Sequence, residues 1–198
     1  MDQTHRRAAG IRYAILHLLG GVMLKVGIEG IVVSTGSIQI TPMLAQDFNS
    51  AMVLCGILIN AAAPPLSAWL ADAYPESSPT GSVFLSAFTT KTAVLALILL
   101  FPGEPLLVGV GLFMVMYGII YALLENDIRR ILAYSIVNQV GFMVCAVGIG
   151  TQLALNGAAA HAFAQWLHAA GAIAGAQGPS ASHWHRLPLQ LLHGADAA

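Results

Sequence analysis

Long apolar stretches constrain this 198-residue chain more than any other feature of its sequence. Crossing a bilayer as a helix takes about 20 mostly apolar residues. Five stretches meet that length and an alanine-rich sixth follows them, over residues 8–33, 48–74, 82–101, 106–124, 128–149 and 153–176. Only 9% of the residues are charged, against about 25% in a soluble domain. The sequence therefore predicts an all-α integral membrane bundle of five or six transmembrane helices, with sequential helices as antiparallel neighbours.

The second stretch contains two consecutive prolines, Pro64 and Pro65. Proline lacks a backbone N–H and its ring clashes with the preceding turn, so we expect the pair to break or kink this helix. A broken helix at membrane depth is tolerated where protein or a water-filled cavity satisfies the freed carbonyls. From the prolines alone, a functional break and a plain kink in a packed bundle both remain open.

The arginines indicate how the bundle is oriented. If the chain alternates sides of the membrane, all of them fall on one side: Arg6, Arg7, Arg12, Arg129, Arg130 and Arg186. The opposite loops hold Asp47 and Glu104, and one loop on the basic side, residues 72–79, has no basic residue. Because positive charge marks the cytoplasmic side, the N-terminus is predicted to be cytoplasmic, in a bacterial inner membrane. Six helices would make the C-terminus cytoplasmic as well, whereas five would place it outside.

Several functional classes find no support in the sequence. A net charge of −1 gives no basic surface for nucleic acid. The two isolated cysteines, Cys55 and Cys145, form neither a disulfide framework nor a zinc site. No catalytic constellation or ligand motif is present, so we expect no enzyme activity, cofactor or metal. The tail with His183, His185 and His193 is expected to be flexible rather than a metal site.

Two long motifs carry a resemblance to a known family. The first is WLADAY at 69–74, followed by SPTGSV at 78–83 and TKT at 90–92; the second is ENDIRRILAYS at 125–135, followed by QVGF at 139–142. Together they resemble the antiporter-like membrane subunits of respiratory NADH:quinone oxidoreductase (complex I) and the D-type subunits of Mrp Na+/H+ antiporters. The resemblance covers about residues 11–163. Family members are longer and contain two inverted repeats, so it implies that this chain is one truncated, interior piece.

The resemblance also implies which residues to inspect. In the family, a buried glutamate and a lysine on a broken helix form a proton-controlling pair, and a second lysine follows on the next helix. Lys91 matches the second lysine, Asn60 stands at the broken-helix lysine, and the glutamate helix would precede the first stretch. The likeness fades after His161, because Gln165 and Ala169 stand where many members have a histidine and a lysine. We therefore read Lys91, Asn60 and His161 as the remnant of a proton path. It is a remnant because the amide of Asn60, unlike the lysine that it replaces, cannot hold a proton.

Lys25 and Glu29 lie four residues apart on the first helix and so share a face. The family usually has apolar residues there, and an ion pair inside a membrane is costly unless it serves something. One interpretation makes them a substitute for the lost pair. The other makes them an internally neutralised pair whose side chains reach the surface, or a contact to a neighbouring subunit.

These observations favour a structural or accessory subunit, with a helix bundle at 1–163 and a divergent helix end and flexible tail at 164–198. Small residues such as Gly20, Gly21, Gly109, Gly111 and Gly118 would pack it against other membrane subunits. The host is expected to be a complex I-like enzyme, an Mrp-type antiporter or a photosynthetic core complex, with lipids and quinone nearby. The chain would then be a non-catalytic part of a quinone-handling complex. The alternative is one half of a proton or cation channel that another chain completes.

Overall fold

The computed structural model describes residues 3–78, 81 and 85–175, and every regular element in that part is helical. The helices are α1 (Gln3–Thr35), α2 (Phe48–Asn60), α3 (Ala68–Glu76), α4 (Thr90–Leu100), α5 (Pro105–Leu124), α6 (Ile128–Ile149) and α7 (Gln152–Gly175). A π-helical turn, Leu85–Thr89, leads into α4. Helices α2 and α3 are the two halves of the second predicted stretch. The helical elements confirm the predicted all-α bundle with one broken helix.

Three helices, α1, α5 and α6, are each long and apolar enough to cross a membrane, and α2 and α4 are shorter apolar helices. The start of the third stretch at 82–84, Arg186 and the histidine-rich tail lie outside the described residues. Helix α7 runs without interruption across residues 163 and 164. The division of the chain at that point stays a prediction.

Glycines bring α1 and α2 into backbone contact. A Cβ added at Gly27 would lie 2.6 Å from the carbonyl oxygen of Asn49, and one at Gly56 would lie 2.7 Å from that of Gly20. Only a residue without a side chain allows this approach, which is how membrane helices pack closely. Since Gly20 meets Gly56 near the end of α2 and Gly27 meets Asn49 near its start, the two helices are antiparallel.

The second pass is interrupted between α2 and α3, as the two prolines predict. Helix α2 ends at Asn60 and α3 begins at Ala68, with both prolines in the intervening segment. In a continuous helix the carbonyl of Ile59 would pair with the residue four positions on; here it accepts hydrogen bonds from the backbone of Ala62 (3.1 Å) and the indole of Trp69 (3.2 Å). The fully buried Trp69 thus satisfies a carbonyl at the break, as the cost of unpaired groups in a membrane requires.

The α5–α6 hairpin has the closest helix contact along the chain's second half. A Cβ at Gly111 would lie 2.5 Å from the backbone nitrogen of Cys145, and one at Gly118 would lie 2.6 Å from that of Asn138. This corrects part of the expectation about small residues. Gly20, Gly111 and Gly118 are used for contacts inside the chain, while added Cβ atoms at Gly21 and Gly109 meet nothing within 4 Å.

Hydrogen bonds from the long connection between α1 and α2 close the end of the bundle opposite the N-terminus. The Glu104 carboxylate, only 8% exposed, accepts from the backbone N–H of Ala45 at 2.8 Å and from that of Leu106 at 3.4 Å. The backbone N–H of Met43 donates to the carbonyl of Leu100 at 2.7 Å. Glu104 therefore both caps α5 and anchors the connection.

Candidate functional site

A groove between α1 and α4, with α2 as its floor, contains Asn60, the last residue of α2 before the helix break. Helices α1 and α4 each pack on α2. One section of the groove has a volume of about 360 Å³, and its polar lining consists of His17, Asn60, Thr89 and Thr92. The side-chain amide of Asn60 donates to the carbonyl of Gly56 at 3.3 Å, which leaves one N–H and the amide oxygen for the groove. The position matched to a family lysine thus presents a neutral hydrogen-bonding group.

His17 faces the same groove from α1, and the sequence analysis missed it. Its Nδ1 lies 3.0 Å from the carbonyl oxygen of Tyr13, and its ring centroid lies 4.0 Å from that of Tyr13 and 4.5 Å from that of Trp69. Because a carbonyl only accepts, Nδ1 carries the proton. Nε2 then carries a lone pair, is buried, and has no hydrogen-bond partner among the described residues. A histidine inside an apolar span is itself a signal of function, and it could have identified this residue.

Lys91 lies at the start of α4, directly after the π-helical turn. Its ammonium donates to the hydroxyl of Thr90 at 3.3 Å. In the described part of the chain it forms no ion pair. A buried charge is costly unless it is paired or hydrogen-bonded. The single hydroxyl of Thr90 therefore compensates only part of the cost of burying the Lys91 ammonium.

His161 lies on α7 and contacts α6. The distance between its Nε2 and the side-chain oxygen of Gln139 is 2.7 Å. Further along the same helix, Gln165 is buried and its side-chain oxygen has no hydrogen-bond partner among the described residues. The contact between His161 and Gln139 therefore connects the QVGF segment of the second motif to α7.

The three residues read as a proton-path remnant have separate surroundings. Asn60 lines the groove on α2, Lys91 bonds its neighbour Thr90, and His161 bonds a glutamine between α6 and α7. Within the described ranges, no hydrogen bond joins any two of them. Proton transfer needs groups within hydrogen-bond reach, either directly or through one water.

Lys25 and Glu29 form an ion pair on the outer face of α1. Their nitrogen and oxygen atoms are 3.5 Å apart, and their side chains are 75% and 64% exposed. At about 1.5 Å per residue, Lys25 lies roughly 20 Å from Arg12 and 15 Å from the end of α1 at Thr35. The pair therefore lies within the candidate span of α1, in the half nearer Thr35, and neither residue lines the polar section of the groove.

The two sequence motifs meet at the end of the bundle that holds the N-terminus. The guanidinium of Arg129 donates to the carbonyl oxygens of Tyr74 (2.9 Å) and Ser77 (3.2 Å), and Arg12 pairs with Asp72 at 3.3 Å. The loop after Asp72 lacks basic residues of its own, but two neighbouring helices supply them. These contacts place arginines of α1 and α6 at one end of the bundle.

The opposite end carries carboxylates. The hydroxyl of Ser50 donates to the carboxylate of Asp47 at the start of α2, and this bond holds the pKa of Asp47 below its usual value. The buried Glu104 lies at the same end, bonded to the backbone of Ala45. The paired arginines thus lie at one end of the bundle, whereas carboxylates lie at both ends.

The comparisons with known proteins agree with these motifs. A family model described as NADH:quinone oxidoreductase/Mrp antiporter, TM, matches residues 1–187. Subunit M of the NADH-quinone oxidoreductase of Escherichia coli (strain K12) is 36% identical over 116 residues, which are 54% of this chain and 23% of that protein. The chain therefore spans about a quarter of the length of this curated relative.

Two solved membrane complexes contain a chain with a similar structure. One is the Mrp complex from Dietzia sp. DQ12-45-1b, with a TM-score of 0.75 and 28% identity, covering 82% of this chain and 33% of that chain. The other is the membrane-bound sulfane sulfur reductase, an archaeal respiratory membrane complex, with a TM-score of 0.76 and 27% identity, covering 84% and 32%. In both, the similar chain is about three times as long as the matched region.

Proposed function

The chain belongs to the NADH:quinone oxidoreductase/Mrp antiporter transmembrane family, and we propose that its role there is structural. It packs as an antiporter-like subunit in a larger energy-transducing membrane complex and does not move protons by itself. The observation that supports this most is the separation of Lys91, Asn60 and His161, each of which has its own hydrogen-bond partner.

A proton path needs successive titratable groups or waters within hydrogen-bond reach. Asn60 cannot hold a proton, and the ammonium of Lys91 bonds the hydroxyl of Thr90, which does not titrate near neutral pH. The Lys25–Glu29 pair does not replace these groups, because it lies on the outer face of α1. The chain's ionisable groups inside the membrane are thus arranged as separate sites.

The outer face of α1 supports a packing role. Large apolar side chains such as Leu18 (71% exposed) and Val22 (51%) share this helix with the exposed ion pair. Lipid tails cover leucine and valine without cost, but they do not satisfy an ammonium and a carboxylate. We infer that another membrane subunit covers the pair. Because the similar solved chains belong to multi-subunit membrane complexes, the host is proposed to be a complex of that kind.

Purification from native membranes in a mild detergent tests this proposal. The tagged chain is expected to co-purify with larger membrane subunits in constant stoichiometry. Replacing the pair with Lys25→Leu and Glu29→Leu should reduce that recovery, whereas Lys25→Arg with Glu29→Asp, which keeps both charges, should not. Recovery of the chain as a free monomer from native membranes, with no subunit in constant ratio, would contradict a structural role in a complex.

A half-channel completed by another chain is the second candidate, and the polar section of the groove favours it. His17, Asn60 and two threonines line that section at membrane depth. If this reading holds, Asn60→Leu in the assembled complex should lower its ion flux while leaving assembly intact. Unchanged ion flux would contradict the half-channel and favour the structural role.

We also propose that the end with Arg12 and Arg129 is cytoplasmic, because positive charge marks that side. A single cysteine at Asn126, in a background lacking Cys55 and Cys145, should react with an impermeant maleimide from the cytoplasmic side. A cysteine at Gln39 should react from the opposite side. The reverse labelling pattern would invert the proposed orientation.

A further inference from the structure

Helix α1 has two faces that are spaced for helix packing, and one of them has no neighbouring helix in the described part of the chain. The first face lies against α2, where Gly20 and Gly27 meet its backbone. On the opposite face, positions separated alternately by four and three residues are each more than half exposed. We call them the outer seam: Ile11, Ile15, Leu18, Val22, Lys25 and Glu29. This alternation is the pattern by which one helix packs along another over its length.

The apolar part of the outer seam favours two parallel helices. Ile15 and Val22 occupy one of its two alternating positions, and Leu18 occupies the other position between them. In two-helix packing of this kind, β-branched residues at the first position and leucine at the second favour a parallel dimer. Two copies of one membrane protein insert with the same orientation, because the same basic residues direct each of them. The α1 helices of two copies therefore run parallel, as this pattern requires.

The ion pair at the end of the outer seam is complementary to a second copy of itself. In parallel register each seam residue packs between four residues of the facing helix, and for Lys25 these include Glu29 of the second copy. Along the helix axis the two positions are about 6 Å apart, which a lysine side chain spans. The ammonium has three N–H donors and the carboxylate has two oxygens, and the contact within one chain, at 3.5 Å, joins one nitrogen to one oxygen. A two-fold axis forms the contact between copies twice and produces a neutral cluster of two lysines and two glutamates.

We propose that the outer seam joins two copies of this chain, packed side by side about a two-fold axis along the membrane normal. The proposal takes one premise from the proposed function, namely that a membrane subunit covers the Lys25–Glu29 pair, and it names that subunit. A different subunit would need a donor and an acceptor one turn apart at the matching depth, whereas a second copy supplies both. The exposed face of α5 is a contrast, because this helix contains no charged residue and lipid alone covers side chains such as Phe113.

Cysteine cross-linking in native membranes tests whether the outer seams of two copies meet. The full chain carries Cys55→Ala and Cys145→Ala, with a single new cysteine at Leu18. Oxidation should link Leu18→Cys copies into a dimer, because residues at this position face their own counterparts across a two-fold axis. The control is Ile120→Cys, which is 48% exposed on α5 and should give only the yield of random collisions.

Charge reversal tests the pairing itself. Lys25→Glu gives a copy with two carboxylates on the outer seam, and Glu29→Lys gives a copy with two ammonium groups. Either variant expressed alone with Leu18→Cys should lower the dimer yield by about tenfold, because like charges face each other. Co-expression of the two variants, distinguished by tags of different length, should restore the mixed dimer to the yield of the unreversed chain.

Two results would overturn the proposal. One is equal cross-linking of Leu18→Cys and Ile120→Cys, and the other is a mixed-dimer yield no higher than that of each reversed variant alone. If a reversed variant does not insert, the comparison of Leu18→Cys with Ile120→Cys decides the question.

The proposed function is judged by a separate observation, the co-purification of larger subunits. Larger subunits in constant ratio with a chain that does not cross-link at Leu18 would refute the second copy and leave the structural role intact. A cross-linked dimer that purifies without larger subunits would support the contact between copies and contradict the role in a larger complex.

Discussion

The α5–α6 hairpin and the α1–α4 groove differ in how their helices meet. In the hairpin, glycines let two backbones touch, and 56% of the most apolar segment of α6 is buried. On the groove side, only 11% of the most apolar segment of α1 is buried. A polar cavity lies between α1 and α4, and α1 carries an exposed ion pair. The α5–α6 contact is formed within the chain, although the outer face of α5 exposes apolar side chains such as Phe113. The groove side also exposes polar groups that a partner or ligand would satisfy.

The largest effect expected from this comparison is at Gly111. A Cβ there meets backbone atoms of α6 that cannot rotate away, so Gly111→Ala should force the helices apart and cost about 3 kcal/mol of unfolding free energy. Gly109→Ala on the same helix meets open space and should change it by less than about 0.5 kcal/mol. Reversible unfolding in mixed detergent micelles measures both. Equal costs would mean that the glycines do not set the hairpin contact.

The next effect concerns the join between the two regions, where Arg129 of α6 bonds the end of α3. Arg129→Met removes charge-assisted hydrogen bonds to the carbonyls of Tyr74 and Ser77 and should cost about 2 kcal/mol. Arg130→Met removes only an exposed contact to Glu125 at 3.5 Å and should cost less than about 0.5 kcal/mol. The same unfolding assay compares them, and similar values for both would remove Arg129 as the link.

Lys91→Met should have a small effect, within about 1 kcal/mol, because the ammonium loses one hydroxyl partner and the cost of burying its charge disappears. Recovery of the assembled complex and unfolding of the isolated chain are the two measurements. A loss of several kcal/mol would show that Lys91 pairs with a buried carboxylate of another subunit.

The smallest effect is expected for Lys25→Met with Glu29→Gln in the isolated chain. Both side chains are mostly exposed, so the pair should contribute less than about 0.5 kcal/mol to unfolding in detergent. A larger loss in the isolated chain would place the pair in the chain's own packing rather than at a subunit contact.

Local signals predicted the helices and the break. The apolar stretches predicted the passes, and two prolines predicted the interruption that Trp69 stabilises. Contacts between distant residues could not be read in this way, because the register of one helix against another depends on packing across the whole bundle. Gly111 was expected to face a partner subunit, yet it faces Cys145 of α6. The loop after Asp72 has no basic residue of its own, and Arg12 of α1 provides the positive charge there by pairing with Asp72.

The groove shows the same limit at the candidate site. Asn60 was identified through a motif, whereas His17 lies outside the motifs and 43 residues earlier in the chain. The break between α2 and α3, together with the separation of α1 from α4, brings the two side chains to one cavity. A single histidine in an apolar span was a signal, but its partners depend on the fold.

Proton flux into proteoliposomes tests the central claim most directly. Vesicles containing only this chain, with a pH-sensitive dye inside and a potassium diffusion potential imposed, should acidify no faster than empty vesicles. Lys91→Met should give the same rate, because the three path residues have separate surroundings. Flux above the empty vesicles that Lys91→Met abolishes would contradict a structural subunit and establish a conducting path within the chain itself.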